Sequence, residues 1–398
     1  MQSTATTASI SSEEYERRIA NLRTQLAADD IDAVVIWARG GGTVERFANV
    51  QYLCGHYPFF PIIRDVPGAW ADRGYAALVV THDNAVLCSD DRFSEPRAVT
   101  DHLTLDVGNG ETLGDLIANV LAGKRRRVAV CGTDTMTARQ FGHLEKAVAP
   151  VCDAELVIVD DLVERLRSIK SPAEIALLEH AGRIADASFR TALDVLRAGA
   201  READVVAALV AEATRSDAVV ANAFVATFGE DTDGLPDGAP TWSQRVLRPG
   251  DLFTVDFSGA YRGYFFDLAR SRVIDHAPTD AQASAFALAQ DSVNAAVAAA
   301  VPGATVSDVA KAADDLLRAQ DYDFAAAEFQ AGGHGLGLGF EAPWIRAGDP
   351  RPIEVGMTLA LERFVIREGT GATFERNIVV TEDGPRDLHP VIDIWSEN

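Results

Sequence analysis

Two domains are predicted by the sequence: an α/β domain over residues 1–163 and, over residues 164–398, an α+β domain whose strands are mostly antiparallel. Three observations lead there. At 398 residues the chain exceeds the roughly 250 to 300 residues at which a single hydrophobic core stops growing. Its first part alternates short apolar runs with helical patterns. Its second part opens on a strong helix-start signal and carries strand-like segments in adjacent pairs joined by turn-like residues.

In chain order, Glu13 to Ala28 has helical periodicity, and the apolar run Ala33 to Trp37 reads as a strand. Tyr75 to Val80 and Ala85 to Cys88 read as further strands, and Arg127 to Val130 as a strand leading into another helix. Leu156 to Asp160 and Leu162 to Ile169 form a link. At Ser171-Pro172-Ala173-Glu174, Ser is placed as N-cap, Pro as the first helical residue and Glu to complete a capping box. The apolar face Ile175, Leu178, Ala185, Phe189 and Leu193 continues that helix, with Gly199 as its stop. Helices are also expected over about Ala203 to Thr214, Asp280 to Ala300 and Val306 to Ala319.

Composition narrows the function. A formal net charge of -23 argues against binding a phosphate backbone, which needs clustered Lys and Arg. No run approaches the roughly 18 apolar residues of a membrane span, and Met1 to Ser12 is polar without the basic and apolar blocks of a secretory leader. The four cysteines, Cys54, Cys88, Cys131 and Cys152, are widely spaced and read as buried thiols of a reducing compartment. A soluble, cytoplasmic protein with no nucleic-acid or membrane partner is expected.

The chemistry-bearing residues come in pairs. Leu252 to Phe257 and Gly263 to Ile274 read as strands joined by Ser258-Gly259-Ala260-Tyr261-Arg262, which makes Asp256 and Asp267 cross-strand neighbours. Like charges directly opposed, with Cβ atoms about 5 Å apart, destabilise a sheet, so a cation is expected between them. Thr358 to Ile366 and Thr373 to Thr381 repeat the construction with Glu362 and Glu375 about Glu368-Gly369. Between the hairpins lies Gly332-Gly333-His334-Gly335-Leu336-Gly337, whose histidine is placed to close on both pairs. Four carboxylates and one imidazole suit two divalent ions such as Mn²⁺, Fe²⁺, Co²⁺ or Zn²⁺.

The segments Val255-Asp256-Phe257-Ser258-Gly259, Phe266-Asp267-Leu268-Ala269-Arg270, Gly333-His334-Gly335-Leu336-Gly337-Leu338 and Glu375-Arg376-Asn377-Ile378-Val379-Val380-Thr381-Glu382-Asp383-Gly384 resemble the metal-ligand blocks of the pita-bread enzymes. That group includes Xaa-Pro aminopeptidases, prolidases, methionine aminopeptidases, creatinase, ectoine hydrolase and a dimethylsulfoniopropionate lyase. Ile169-Lys170-Ser171-Pro172-Ala173-Glu174-Ile175 is similar to the start of the catalytic domain in the two-domain, prolidase-like branch. The resemblance implies a creatinase/prolidase-like first domain, a pita-bread second domain, a homodimer, and hydrolysis of an amide or peptide C-N bond in a small molecule or dipeptide. It gives Glu362 the role of general base or proton shuttle.

Three departures bear on the substrate. A substrate-side Pro-His segment of the peptidases reads Leu235-Pro236-Asp237-Gly238, and Glu362-Arg363-Phe364 stands where Glu-Pro-Gly is usual. A second histidine seven residues past the ligand falls on Glu341, although a one-residue shift makes Glu341 the family's following glutamate. Arg270, Arg363 and Arg376 are then candidate substitute donors to an oxyanion, although the favoured reading of each is a structural salt-bridge partner. Glu230, Asp231, Asp233 and Asp237, with Trp242 close behind, favour a cationic substrate through charge and cation–π contact. Asp237 and Glu341 are therefore candidate substrate-side residues. A creatine- or ectoine-type hydrolase, a sulfonium lyase and a non-catalytic binding protein remain as alternatives.

Overall fold

A computed structural model describes residues 9–40, 44–57, 66, 71–91, 95–106, 109–234, 238–322, 324 and 332–395. It divides into two compact units, Ser9–Arg167 and Ser168–Asn398.

The first unit is a mixed six-stranded sheet. Strands β1 (Ala33–Arg39), β2 (Tyr75–Thr81), β3 (Ala85–Ser89), β4 (Asp101–Thr104), β5 (Arg127–Cys131) and β6 (Glu155–Ile158) lie in the order β4-β3-β2-β1-β5-β6. Pairs β1·β2 and β2·β3 are antiparallel, and β1·β5, β5·β6 and β3·β4 are parallel. The helices of this unit include α1 (Ser12–Ala28), α2 (Ala48–Cys54), α3 (Leu113–Leu121) and α4 (Ala138–Val148), and Ala33, Val35 and Trp37 of β1 share a core with the last two. Val34, Ile36 and Ala38, equally buried, point to the opposite face, as strand alternation requires. Such two-sided burial produces the continuous apolar runs seen in the sequence. The expected link is partly regular: Glu155–Ile158 is the last strand of the sheet, and Leu162–Arg167 forms helix α5. This edge strand is short and its ends are exposed, so it lacks the apolar signature of its neighbours.

The second unit begins with α6 (Pro172–Leu193), whose capping box has Glu174 N donating to Ser171 Oγ. The helix stops at Leu193, well before Gly199, whose φ of +89° instead serves the loop leading to α7 (Glu202–Arg215). Two antiparallel sheets follow. One holds β7 (Ala218–Gly229), β8 (Thr232–Gly234), β9 (Leu252–Tyr261) and β10 (Tyr264–Val273) in the order β10-β9-β7-β8. The other holds β11 (Gly333–Leu336), β12 (Phe340–Glu341), β13 (Thr358–Arg367), β14 (Thr370–Thr381) and β15 (Gly384–Asp387) in the order β12-β11-β13-β14-β15. Helices α8 (Asp280–Ala299) and α9 (Val306–Ala319) bury Phe286, Ala289, Val293, Val309 and Leu317 against Leu359, Leu361, Phe374 and Ile378 of the second sheet. Strand β10 lies beside β14 across the seam between the sheets.

Both long hairpins turn on two residues. Arg262 and Gly263 have φ of 51° and 88°, and Glu368 and Gly369 have 52° and 76°. Positive φ at both central positions matches the right-handed twist of the flanking strands. The first turn thus lies later than the expected Ser258 to Arg262, and this shift changes the register of the acids on that hairpin.

Candidate metal centre and active site

Strands β9 and β10 pair Asp256 with Ala269 and Asp267 with Ser258. Asp256 and Asp267 are therefore diagonal neighbours, not the directly opposed pair expected from the sequence. Diagonal side chains remain within reach of one another. On the second hairpin Glu362 and Glu375 are directly opposed, as expected. Strand β11 sets His334 opposite Ala360 of β13, two residues from Glu362.

The five side chains converge. Oxygens of Asp256, Asp267 and Glu375 lie within 4.8 Å of one another. His334 Nε2 stands 3.3 Å from Asp267 Oδ2 and 3.9 Å from Glu362 Oε1. Asp267, His334 and Glu375 are 3%, 3% and 0% exposed, too little for water to screen the repulsion among the acids. Burial is the largest influence on all four carboxyls and pushes them up: Asp256 above its usual value, Asp267 and Glu375 well above, and Glu362 to about 7. Neighbouring carboxylates push Asp267, Glu362 and Glu375 further in the same direction.

Among the described residues, two buried oxygens, Asp267 Oδ1 and Glu375 Oε2, have no hydrogen-bond partner. Orphaned carboxylate oxygens among converging acids fit a cation as their missing partner. His334 is prepared for the same role. Its Nδ1 lies 2.9 Å from the Gly335 carbonyl oxygen, which selects the tautomer that donates there and leaves Nε2 with a free lone pair.

The centre opens into a cavity of about 460 Å³, walled by Phe224, Phe340, Trp344 and Phe364 with Thr254 and Thr373. Phe340 and Trp344 flank the imidazole of His334, with ring centroids at 4.6 and 5.5 Å. The threonine hydroxyls donate to backbone oxygens, Thr254 to Ala226 and Thr373 to Arg363.

The expected substrate-side residues fare differently. Glu341 is buried and its Oε1 lies 2.5 Å from Lys170 Nζ, while Phe340, the preceding residue of β12, lines the cavity. Successive strand residues point to opposite faces, so only one of the two reaches the cavity, and it is the phenylalanine. Asp237, like Leu235 and Pro236, lies outside the described residues. Asp231 is exposed and paired with Arg248 at 2.5 Å, and neither it, Glu230 nor Trp242 belongs to the described cavity wall. Among the described residues of the acidic segment, neither Glu230 nor Asp231 brings a carboxylate to the cavity wall, while the side chain of Asp233, like Asp237, lies outside the described part of the structure.

The three arginines considered as oxyanion donors are all engaged elsewhere. Arg363 pairs with Asp314 at 2.6 Å, and Arg376 pairs with Asp387 at 2.7 Å. Arg270 donates to the backbone oxygens of Ala269, Glu375 and Ile392. Sequence reasoning missed the aromatic wall and Asn377. The latter stands two residues beyond Glu375 on one strand, a spacing that puts both side chains on one face.

Comparison with known proteins agrees with this architecture. Residues 176–382 match the model described as metallopeptidase family M24, and residues 18–169 match the creatinase/prolidase N-terminal domain. The probable dipeptidase PepE of Mycobacterium tuberculosis is 34% identical over 281 residues, 69% of this chain and 71% of that protein. An uncharacterized peptidase, YqhT of Bacillus subtilis, is 29% identical over 336 residues, 82% of this chain and 90% of its own. The crystal structure of dipeptidase PepE from Mycobacterium ulcerans superposes with a TM-score of 0.79 at 26% identity, covering 97% of this chain and 98% of that one. The prolidase of Pyrococcus horikoshii shares the fold at 20% identity, with a TM-score of 0.78 and coverage of 95% and 99%.

Proposed function

Because the chain belongs to metallopeptidase family M24, whose members are metal-dependent hydrolases, we propose that it hydrolyses the peptide bond of small Xaa-Pro-type dipeptides. Two divalent ions, Mn²⁺, Fe²⁺, Co²⁺ or Zn²⁺, are assigned to Asp256, Asp267, His334, Glu362 and Glu375. The observation that carries this reading is the convergence of four carboxyls, Asp267 and Glu375 buried and Asp256 and Glu362 partly buried, and one imidazole, with two carboxylate oxygens left unpartnered.

The oxygens of Asp256, Asp267 and Glu375 form one cluster, and Asp267 and Glu362 both lie beside His334 Nε2, so these five residues would hold the ions, with Asp267 belonging to both clusters of side chains. When bound, the ions lower the pKa of water and polarise the scissile carbonyl.

The chain's own groups supply the remainder. Glu362, whose side chain is 17% exposed, lines the cavity. A carboxylate so placed takes a proton from water and returns it to the leaving nitrogen. His334 holds its proton on Nδ1 and keeps Nε2 available. The aromatic wall excludes water around the reacting groups and offers apolar surface to the substrate's side chains. Four free, buried cysteines support a cytoplasmic setting.

The dipeptidases among the relatives favour peptide hydrolysis over the creatine-, ectoine- and sulfonium-type alternatives. Xaa-Pro dipeptides incubated with the Mn²⁺-loaded enzyme should each yield two products whose summed mass exceeds the substrate by one water. Substrates recovered intact, or products lacking that water, would remove the assignment.

A further inference from the structure

Asn377 is 3% exposed, on β14, and both N-H groups of its amide are used. Nδ2 donates to the backbone oxygen of Asp267 at 2.8 Å and to Glu375 Oε1 at 3.1 Å. One side chain therefore holds two of the acids on separate sheets, Asp267 on β10 and Glu375 on β14. The contact is answered from the other side. Arg270 of β10, 1% exposed, donates through Nη1 to the Glu375 backbone oxygen at 2.8 Å. Next to it, Ser271 Oγ donates to the Thr373 oxygen at 3.0 Å and accepts from Thr373 N at 2.7 Å. No β-ladder joins β10 to β14, so these side-chain bonds do there what backbone pairing does within each sheet.

The amide also decides which oxygen is free. With Oε1 of Glu375 held by Asn377, it is Oε2 that is left without a partner, and Asp267 Oδ1 is likewise unpartnered. Both residues belong to the group whose oxygens lie within 4.8 Å of one another.

We propose that Asn377 is a positioning residue that clamps Asp267 and Glu375 across the seam between the two sheets and sets the affinity of the metal centre. It is not among the described residues that line the cavity. The proposal rests on the ligand assignment above. Without the amide, Glu375 is free to rotate and presents either oxygen, so the ligand group is no longer formed before the ion arrives. Partners of this kind are typically worth 10- to 100-fold in metal affinity.

The test uses full-length, metal-stripped protein titrated with Mn²⁺ by calorimetry, together with thermal melts of the stripped forms. Asn377→Leu keeps the branching of the side chain, with bulkier methyl groups, and removes both donors, and Asn377→Thr is smaller and keeps a single donor. The expected result is a 10- to 100-fold loss of Mn²⁺ affinity in Asn377→Leu and an intermediate loss in Asn377→Thr. Activity of both variants should return at saturating Mn²⁺ with KM unchanged. Mn²⁺ affinity within threefold of wild type in either variant overturns the clamp. So does a loss of activity that saturating Mn²⁺ leaves unrestored. Should Asn377→Leu fail to fold, Asn377→Thr decides alone. A wild-type protein that takes up no Mn²⁺ overturns the ligand assignment itself, and the clamp with it.

Discussion

Hairpins β9-β10 and β13-β14 turn on the same kind of two-residue corner, yet they set their acids in different registers. Glu362 and Glu375 oppose each other directly, whereas Asp256 and Asp267 sit diagonally because the first corner falls at Arg262-Gly263. Asp267 also stands on β10, the strand that lies beside β14 of the second sheet. There it comes within 4.8 Å of Glu375 and within 3.3 Å of His334. Direct opposition leaves Glu362 and Glu375 in separate groups, Glu362 beside the imidazole at the cavity and Glu375 with the two aspartates. A motif used twice thus yields unequal positions, one acid close to both Glu375 and His334 and one lining the cavity.

The sharpest way to break this comparison is to remove the shared member. Asp267→Asn should lower kcat by at least about a thousandfold, equivalent to roughly 4 kcal/mol of barrier, and reduce bound Mn²⁺ below one ion per chain. Turnover and elemental analysis measure both quantities. Retention of two ions would mean that Asp267 is not common to the groups.

The acids also predict how stability depends on pH. In metal-stripped protein Glu362 has its folded value raised from 4.5 to about 7. Its contribution is fully present below about pH 4.5 and is lost as pH rises through about 7, a loss on the order of 3 kcal/mol. Burial of Asp267 and Glu375 acts in the same direction. Urea unfolding of the stripped protein should therefore show stability falling from pH 4.5 to 8, and saturating Mn²⁺, which favours ionised ligands, should reverse that slope. A stripped protein that gains stability over this range would place the carboxyls in contact with water.

If the corners are equivalent, Gly263→Ala and Gly369→Ala should each cost roughly 1 to 2 kcal/mol, because each forces a side chain into left-handed backbone. Denaturant melts give both values. A much larger loss for Gly263 would show that register at the first hairpin depends on more than backbone strain.

The two hairpins also mark what the sequence makes legible. Glu368-Gly369 is a visible corner, and the register of Glu362 and Glu375 follows from it. Arg262-Gly263 has the same X-Gly form, but arginine is an uncommon first residue for positive φ, and the preceding Ser258-Gly259 offers a competing turn. A shift of the corner by a residue or two changes every cross-strand partner. The acids and histidine that converge, and the helix start at Ser171, were legible because each rests on local chemistry. Phe340 at the cavity was not, since Phe340 and Glu341 are adjacent and only the pleat decides which one faces inward. Nor was the Lys170–Glu341 pair, which joins residues 171 positions apart. Asn377 was within reach of strand alternation, which places it beside Glu375.

The smallest expected effect separates direct from diagonal opposition in the metal-stripped protein. Glutamine cannot ionise, so Glu375→Gln resembles the protonated wild type at pH 5 and escapes the repulsion that develops as the acids ionise. The pair Glu362 and Glu375 is directly opposed and Glu375 is fully buried, so this relief should grow between pH 5 and pH 8. Opposed like charges on a sheet are worth roughly 0.2 to 1 kcal/mol, or about 1 to 4 °C in Tm for a unit of this size. Asp256→Asn removes a diagonal neighbour and should give a smaller gain over the same range. Melts of the two stripped variants and wild type at pH 5 and pH 8 resolve the difference. Equal gains would mean that the four acids act as one shared charge cluster in which cross-strand register has no separate weight.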